Sequence, residues 1–321
     1  MSDLPKTIRI NEEGPREGFQ FEKGSIPTAR KIELIDSLSQ TGLKQIQVAS
    51  FVSPRAVPGM ADADEVVAHY KRVPGVRYTA LWLNEKGLQR AMTSGRLDIS
   101  GQLALTASET FLKRNQNRSM ADDLAAEKSL AKAYKLYDIS VDKISIRAAF
   151  GCNFEGQVSS KTVTRLIGEL LAVAKEEGHS IRVISLADTM AWATPASVKR
   201  VVGAVREAYP DMAIALHLHD TRGMGIANAY AGLEIGVTIF DSSVAGLGGC
   251  PFAAHAGAAG NVCTEDLVFM CDEMGIETGV NLEMLIESAR LAEVVVGHPL
   301  AGSVMHGGSL AHLRSRIQKG A

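Results

Sequence analysis

Aromatic side chains are scarce, at 5% of the 321 residues, although 46% are hydrophobic. A core must therefore be built mainly from Val, Ile, Leu and Ala, the usual filling of a parallel sheet covered by helices. Charge of one sign is lacking as well. A formal net charge of −2 gives no basic stripe or patch, which speaks against nucleic-acid and membrane-surface binding. No apolar run approaches the roughly 18 residues of a membrane span. The four cysteines, Cys152, Cys250, Cys263 and Cys271, show no framework spacing. A chain of this size stands without disulfides, so reduced thiols in a cytoplasmic setting are expected. The first strand is expected to begin by Lys6, leaving no room for a signal or transit peptide. No Pro/Ser-rich linker or low-complexity segment interrupts the chain, so a single domain is expected.

Short β-branched runs alternate with longer helical patterns. Strands are expected at Thr7–Asn11, Gln45–Ser50, Arg77–Trp82, Asp98–Leu105, Lys143–Phe150, Arg182–Asp188, Ala213–His219 and Thr238–Val244. Amphipathic stretches such as Ala29–Ser39, Ala121–Tyr137, Lys161–Glu177, Ala196–Ala208 and Met224–Ile235 lie between them. Such alternation reads as βαβ units. Eight strands, with no G-x-G-x-x-G turn after the first, favour a (β/α)8 TIM barrel over a doubly wound sheet. Residues 1–281 are expected to form the barrel and residues 282–321 a C-terminal helical cap on the same domain.

Unusual polar residues gather at strand ends: Glu12 and Glu17, Gln47 with Ser50, Asp188, His217 with His219, and Ser242 with Ser243. Active sites in this fold occupy that rim. His217 and His219 close an apolar strand, and residues two apart share a face. Both imidazoles can then reach one metal, with two hydrogen-bonded core histidines as the plainer alternative. Oxygen ligands beside them would suit Mg²⁺, Mn²⁺ or Zn²⁺.

After the first strand, Gly14 and Gly18 permit sharp turns and Pro15 stiffens what is expected to be a loop. That loop would present Arg16, a planar donor for an oxyanion, and Glu17, a ligand or base. A small-residue stretch from Ala245 to Asn261 follows the eighth strand, as lids often do. Cys250 within it is expected to donate a proton; His255 is expected to be a solvated loop residue.

Six segments then carry a family resemblance: G-P-R-E-G-F-Q, S-F-V-S-P-R-A-V-P-G-M, A-S-E-T-F, H-L-H-D-T, D-S-S-V-A-G-L-G-G-C-P and G-N-V-C-T-E-D-L-V. Together, in order from Thr7 to about Gly279, they resemble the 3-hydroxy-3-methylglutaryl-CoA lyases. These belong to the metal-dependent lyase and Claisen-condensing TIM-barrel superfamily. The resemblance implies cleavage of 3-hydroxy-3-methylglutaryl-CoA to acetyl-CoA and acetoacetate with Mg²⁺ or Mn²⁺. It implies Glu17, His217, His219 and Asn261 as metal ligands, Glu17 standing where the family has Asp. It makes Arg16 the stabiliser of the thioester enolate, His217 also a participant in proton transfer, and Cys250 the loop cysteine of catalysis. Glu12 and Asp266 match further acidic site residues. Lys23, Ser108 and Asn115 lie where the family contacts substrate or the CoA chain, and Gln47, Ser50, Asp188 and Thr189 complete the expected substrate wall.

Gln47 stands where the family has Glu, which removes an ionisable group near Arg16. The Cys250–Asn261 stretch is about two residues longer than usual. Both departures point to another short 3-hydroxyacyl-CoA diacid, of citramalyl-CoA or methylmalyl-CoA type, as a better substrate. The alternatives are a Claisen synthase of the isopropylmalate or homocitrate type, and a catalytically impaired CoA-binding barrel. The composition leaves room for a homodimer or higher homo-oligomer.

Overall fold

The computed structural model describes residues 4–22, 24–249 and 260–318. Eight parallel strands make up its main sheet: β1 (Arg9–Glu12), β2 (Gln45–Ser50), β3 (Arg77–Leu81), β4 (Gly101–Thr106), β5 (Val141–Arg147), β6 (Val183–Ala187), β7 (Ala213–His217) and β8 (Ile239–Ser242). They follow one another in the order β3-β2-β1-β8-β7-β6-β5-β4, curling into the expected (β/α)8 barrel with helices outside.

The strands alternate by face. Ile144 and Ile146, Ile184 and Leu186, Ile214 and Leu216, and Phe240 are buried against the helix layer. Their lumen-side neighbours are polar or small: Lys143, Ser145 and Arg147 on β5, Ser185 and Ala187 on β6, Ala215 and His217 on β7, Asp241 on β8. Burial of the outer face holds the barrel together. The inner face is left free for a site.

Between β3 and β4 the ladder is missing, and side chains take over the orphaned backbone groups, as buried amides require. The Asp98 N–H donates to the Tyr78 carbonyl at 2.8 Å, and the Asp98 carboxylate accepts from the Tyr78 N–H at 2.8 Å. Glu127, on the helix Met120–Leu136, accepts from the Ala104 N–H at 2.9 Å. Tyr134, from the same helix, accepts from Trp82 Nε1 at 2.7 Å and donates to the Gln102 carbonyl at 3.4 Å.

One expectation is corrected. The segment after β1 is not a loop: Gly14–Phe21 is a helix. Pro15 sits in its first turn, where a missing N–H costs nothing. Gly18 is there for close packing, since a Cβ would lie 2.8 Å from Leu247 Cβ. The expected division at residue 282 falls at the start of a helix. The helix Leu282–Val296 packs into the outer ring against Thr28–Leu38, with a hydrogen bond between the Ser288 and Ser37 hydroxyls at 2.7 Å. Among the described residues, the helices Ser303–Gly307 and Leu310–Gln318 follow it. Most expected strands run one to three residues too long, because the polar rim residues continue the pattern after the ladder ends.

Candidate metal centre and active site

Strand β7 ends at His217, and His219 follows in an isolated bridge to Asn261. That bridge brings the segment after β8 against the one after β7. The helix Gly14–Phe21 enters from the other side and supplies Arg16 and Glu17.

Glu17 is the hub. Its Oε1 lies 3.1 Å from His219 Nε2 and accepts from Asn261 Nδ2 at 3.1 Å; its Oε2 lies 3.7 Å from His217 Nε2 and 2.9 Å from Arg16 Nη1. Burial alone would raise the Glu17 pKa, but Arg16 and His217 hold it well below the ordinary carboxylate range. Each histidine is fixed from behind. His219 Nδ1 donates to the Asp188 carbonyl at 2.9 Å, and His217 Nδ1 lies 3.5 Å from Asp241 Oδ2. Asp241 in turn accepts from Asn11 Nδ2 at 2.8 Å. Burial opposes a charged His217, yet the Glu17 charge and the Asp241 hydrogen bond push it up to about 10. Asp241 is held at about 2, burial being outweighed by His217 and Lys143.

These residues fit a divalent cation. With the Nδ1 proton of His219 committed to a carbonyl, its Nε2 lone pair faces a carboxylate oxygen, so a positive centre belongs between them. Asn261 Oδ1 is buried with no hydrogen-bond partner, an orphan that a metal bond would satisfy. Ligand atoms of Glu17, His217 and His219 lie within 4.8 Å of one another.

Beside the centre, Arg16 is clamped. Its Nη2 donates to Glu13 and its Nε to the Gln47 side-chain oxygen. Glu13 is buried, and burial raises its pKa despite the Arg16 charge. Glu13 therefore supplies beside Arg16 the carboxyl group that Gln47 lacks. Glu13, Asn11 and Asp241 had no role assigned from sequence. A charged residue inside the apolar β8 pattern was the available signal for Asp241.

The other expected residues divide. Gln47, Asn115 and Thr189 line one cavity of about 1290 Å³ together with Arg16, Glu17 and the histidines. Thr189 Oγ1 accepts from the Ala148 N–H at 2.8 Å. Asp188 supplies a carbonyl to His219 while its Oδ1 accepts from the Trp192 and Ala193 N–H groups at 2.7 and 3.0 Å; burial raises its carboxyl to about 6. Glu12 stands behind the centre, accepting from Gly14 N, Val244 N and Thr264 Oγ1 at 2.7, 2.9 and 2.6 Å. Burial lifts it to about 7. Its carboxyl ties β1 to the segment after β8.

Three residues are not brought to the centre. Asp266 accepts from the Ser303 and Val304 N–H groups at 3.1 and 2.7 Å, anchoring the tail helix. Ser108 caps Glu109–Gln116, accepting from the Phe111 N–H at 3.1 Å. Ser50 is fully buried and its hydroxyl has no partner. Lys23, Cys250 and His255 lie outside the described residues.

The HMGL-like family model matches residues 7–292. The chain is 43% identical over 285 residues to the mitochondrial hydroxymethylglutaryl-CoA lyase of Bos taurus, covering 89% of this chain and 84% of that protein. It is 41% identical over 288 residues to the cytoplasmic 3-hydroxy-3-methylglutaryl-CoA lyase of Homo sapiens, covering 90% and 75%. Among solved structures, the Bacillus subtilis HMG-CoA lyase superposes with a TM-score of 0.86 at 38% identity, covering 94% of this chain and 97% of that one. The Acinetobacter baumannii HMG-CoA lyase in complex with coenzyme A and 3-methylmalate gives 0.85 at 36%, covering 96% and 97%. A match over most of the chain, with the barrel and its buried Glu–His–His–Asn cluster, means that this protein belongs to the HMGL-like family.

Proposed function

We propose that the protein is a divalent-metal-dependent carbon–carbon lyase that cleaves 3-hydroxy-3-methylglutaryl-CoA, or a closely related 3-hydroxyacyl-CoA diacid, by a retro-Claisen step. The observation that carries this reading is the buried Glu17–His217–His219–Asn261 cluster beside a clamped Arg16, at the mouth of the cavity. The coenzyme A complex of the Acinetobacter baumannii relative supports an acyl-CoA substrate.

A cation held by Glu17, His217, His219 and Asn261 supplies Lewis acidity that acidifies the substrate hydroxyl and fixes its orientation. The chain's own groups do the rest. Glu13, a buried carboxylate lining that space, is placed to take the hydroxyl proton, while Asp241 holds His217 in position. The raised pKa of Glu13 is the direction a base working near neutrality needs. As the hydroxyl oxygen becomes a carbonyl, the carbon–carbon bond breaks and its electron pair enters the thioester enolate. Arg16, already rigid through Glu13 and Gln47, offers preorganised donors there. A proton from the Cys250 thiol completes acetyl-CoA.

The reading extends to a reduced, cytoplasmic setting. Cys152, Cys263 and Cys271 are free and buried, and no helix among the described residues is long and apolar enough to cross a membrane. The deciding experiment is chelator-sensitive turnover of 3-hydroxy-3-methylglutaryl-CoA, run beside Cys250→Ser. The variant should keep its melting temperature and lose about 10²–10⁴ in turnover. Wild-type turnover in Cys250→Ser would remove the thiol from the mechanism, and chelator-insensitive cleavage would remove the metal.

A further inference from the structure

The segment S-F-V-S-P-R-A-V-P-G-M marks the family resemblance, yet it supplies no residue to the metal centre. Residues 51–58, Arg55 apart, line the cavity, and the chain then makes the short turn Pro58–Met60. That turn bears on the helix Gly14–Phe21, which carries Arg16 and Glu17. A Cβ at Gly59 would lie 2.4 Å from the Phe19 carbonyl oxygen, so any side chain there would force the turn and the helix apart. The helix has 8 residues, too few to hold its shape alone. Where it stands is set by what packs on it.

Lys31 locks the turn in place. It belongs to the first turn of the helix Thr28–Leu38 and is 4% exposed. Its Nζ donates to the Gly59 carbonyl and to Asp62 Oδ1, both at 2.7 Å, and Asp62 Oδ2 accepts from Thr28 Oγ1 at 2.9 Å. The same ammonium lies 6.0 Å from the centre of the Phe19 ring, the outer reach of a cation–π contact. Phe19 is itself buried, and Arg16 and Glu17 precede it by less than one helical turn. A buried ammonium demands fixed partners. Here the partners are the turn and the helix that bears the reacting groups.

We propose that Lys31 is a positioning residue for the metal centre. Through Gly59 and Asp62 it seats Pro58–Met60 against Gly14–Phe21, and so sets where Glu17 meets the cation and where Arg16 meets the enolate oxygen. It lies outside the cavity lining and touches none of the reacting groups. The inference rests on the metal-dependent lyase reading and adds to it a residue of the outer helix layer. Displacements on the order of 1 Å, imposed from outside a site, can cost about 10²-fold in rate.

Calorimetric titration with Mn²⁺, beside kcat for 3-hydroxy-3-methylglutaryl-CoA, tests this well below the melting temperature of each variant. Lys31→Met keeps the length and removes the charge. It should weaken Mn²⁺ binding about tenfold and lower kcat about ten- to a hundredfold. Lys31→Arg keeps donors for Gly59 and Asp62 and should recover part of both. Gly59→Ala leaves the ammonium intact but pushes the turn off Phe19. It should shift both readings the same way, and it serves if Lys31→Met does not fold. Leu170→Ala, a cavity-forming change on the helix Ser160–Glu176, should lower the melting temperature and move neither reading. Mn²⁺ affinity and kcat at the wild-type level in folded Lys31→Met or Gly59→Ala would overturn the proposal, whatever their melting temperatures. So would an equal shift in Leu170→Ala. If wild type cleaves no hydroxyacyl-CoA while Mn²⁺ binding still weakens in Lys31→Met, the lyase reading fails and the positioning role stands.

Discussion

His219 Nε2 and Glu17 Oε1 face each other at 3.1 Å, although 202 positions separate them in the chain. The imidazole proton is committed to the Asp188 carbonyl on the far side. The carboxylate is kept ionised by Arg16 and His217. Two electron-rich atoms aimed at one point, in a buried pocket, define the centre from which the predictions start.

His219→Ala should cut metal affinity by more than the 10–100-fold that loss of an orienting group causes, and Asp241→Asn should fall within that range. Elemental analysis with chelator competition reads both. Full occupancy in His219→Ala would place the metal elsewhere.

Crowding offers an independent route to the same centre. Gly248 has φ +90, and a Cβ there would lie 2.7 Å from Asn261 Nδ2 and 2.8 Å from Glu17 Cγ. Gly248→Ala should weaken metal binding at least tenfold by displacing two ligands. Gly75→Ala is the control: its φ of +84 carries the same backbone strain, but no atom lies within 4 Å of its Cβ. That variant should lose only roughly 1 kcal/mol of stability and no metal affinity.

Arg16 lies between the Glu13 and Glu17 carboxyls, with Gln47 a neutral further acceptor. Glu13→Gln should therefore lower kcat/KM by about 10²–10⁴, the span of a positioned proton-transfer group. Gln47→Glu should change it by less. Rates for the two variants with 3-hydroxy-3-methylglutaryl-CoA decide the matter, and the reverse ranking would return the key role to position 47.

Glu127 makes stability pH-dependent. Burial raises its pKa from 4.5 to about 7 in the fold, against the pull of Arg147. Its neutral form is favoured, so the stability it contributes is complete below pH 4.5 and lost as pH rises through about 7. The shift corresponds to a loss on the order of 3 kcal/mol. Glu127→Gln keeps an acceptor for the Ala104 N–H and cannot ionise. It should match wild type near pH 5 and exceed it at pH 8 by roughly 1–3 kcal/mol in denaturant unfolding. An equal difference at both pH values would contradict the burial argument.

Much of this was legible in the chain. Alternating runs such as Ala213–His217 announce a strand with one apolar face, and a polar rim at five strand ends announces a barrel mouth. Glycine and proline misled at Gly14–Phe21, because both also suit a helix start and a close crossing, and only the neighbour Leu247 distinguishes the cases. Asp266 sits in a motif that matches the family site, yet its carboxylate faces the amides of Ser303 and Val304. A motif fixes residue type, and the direction of the side chain depends on what packs beside it.

The sequence by itself determined the fold class, the family and the pair of histidines on one face, because hydrophobic period and short-range spacing are properties of the chain alone. The tertiary structure decided which distant groups meet. It set Glu13 against Arg16, Asp241 and Asn11 behind His217, and Arg147 in the layer of His217. Barrel closure stacks strands in a register that no local pattern encodes. Burial then converts those meetings into shifted pKa values, which is where the chemistry of the site resides.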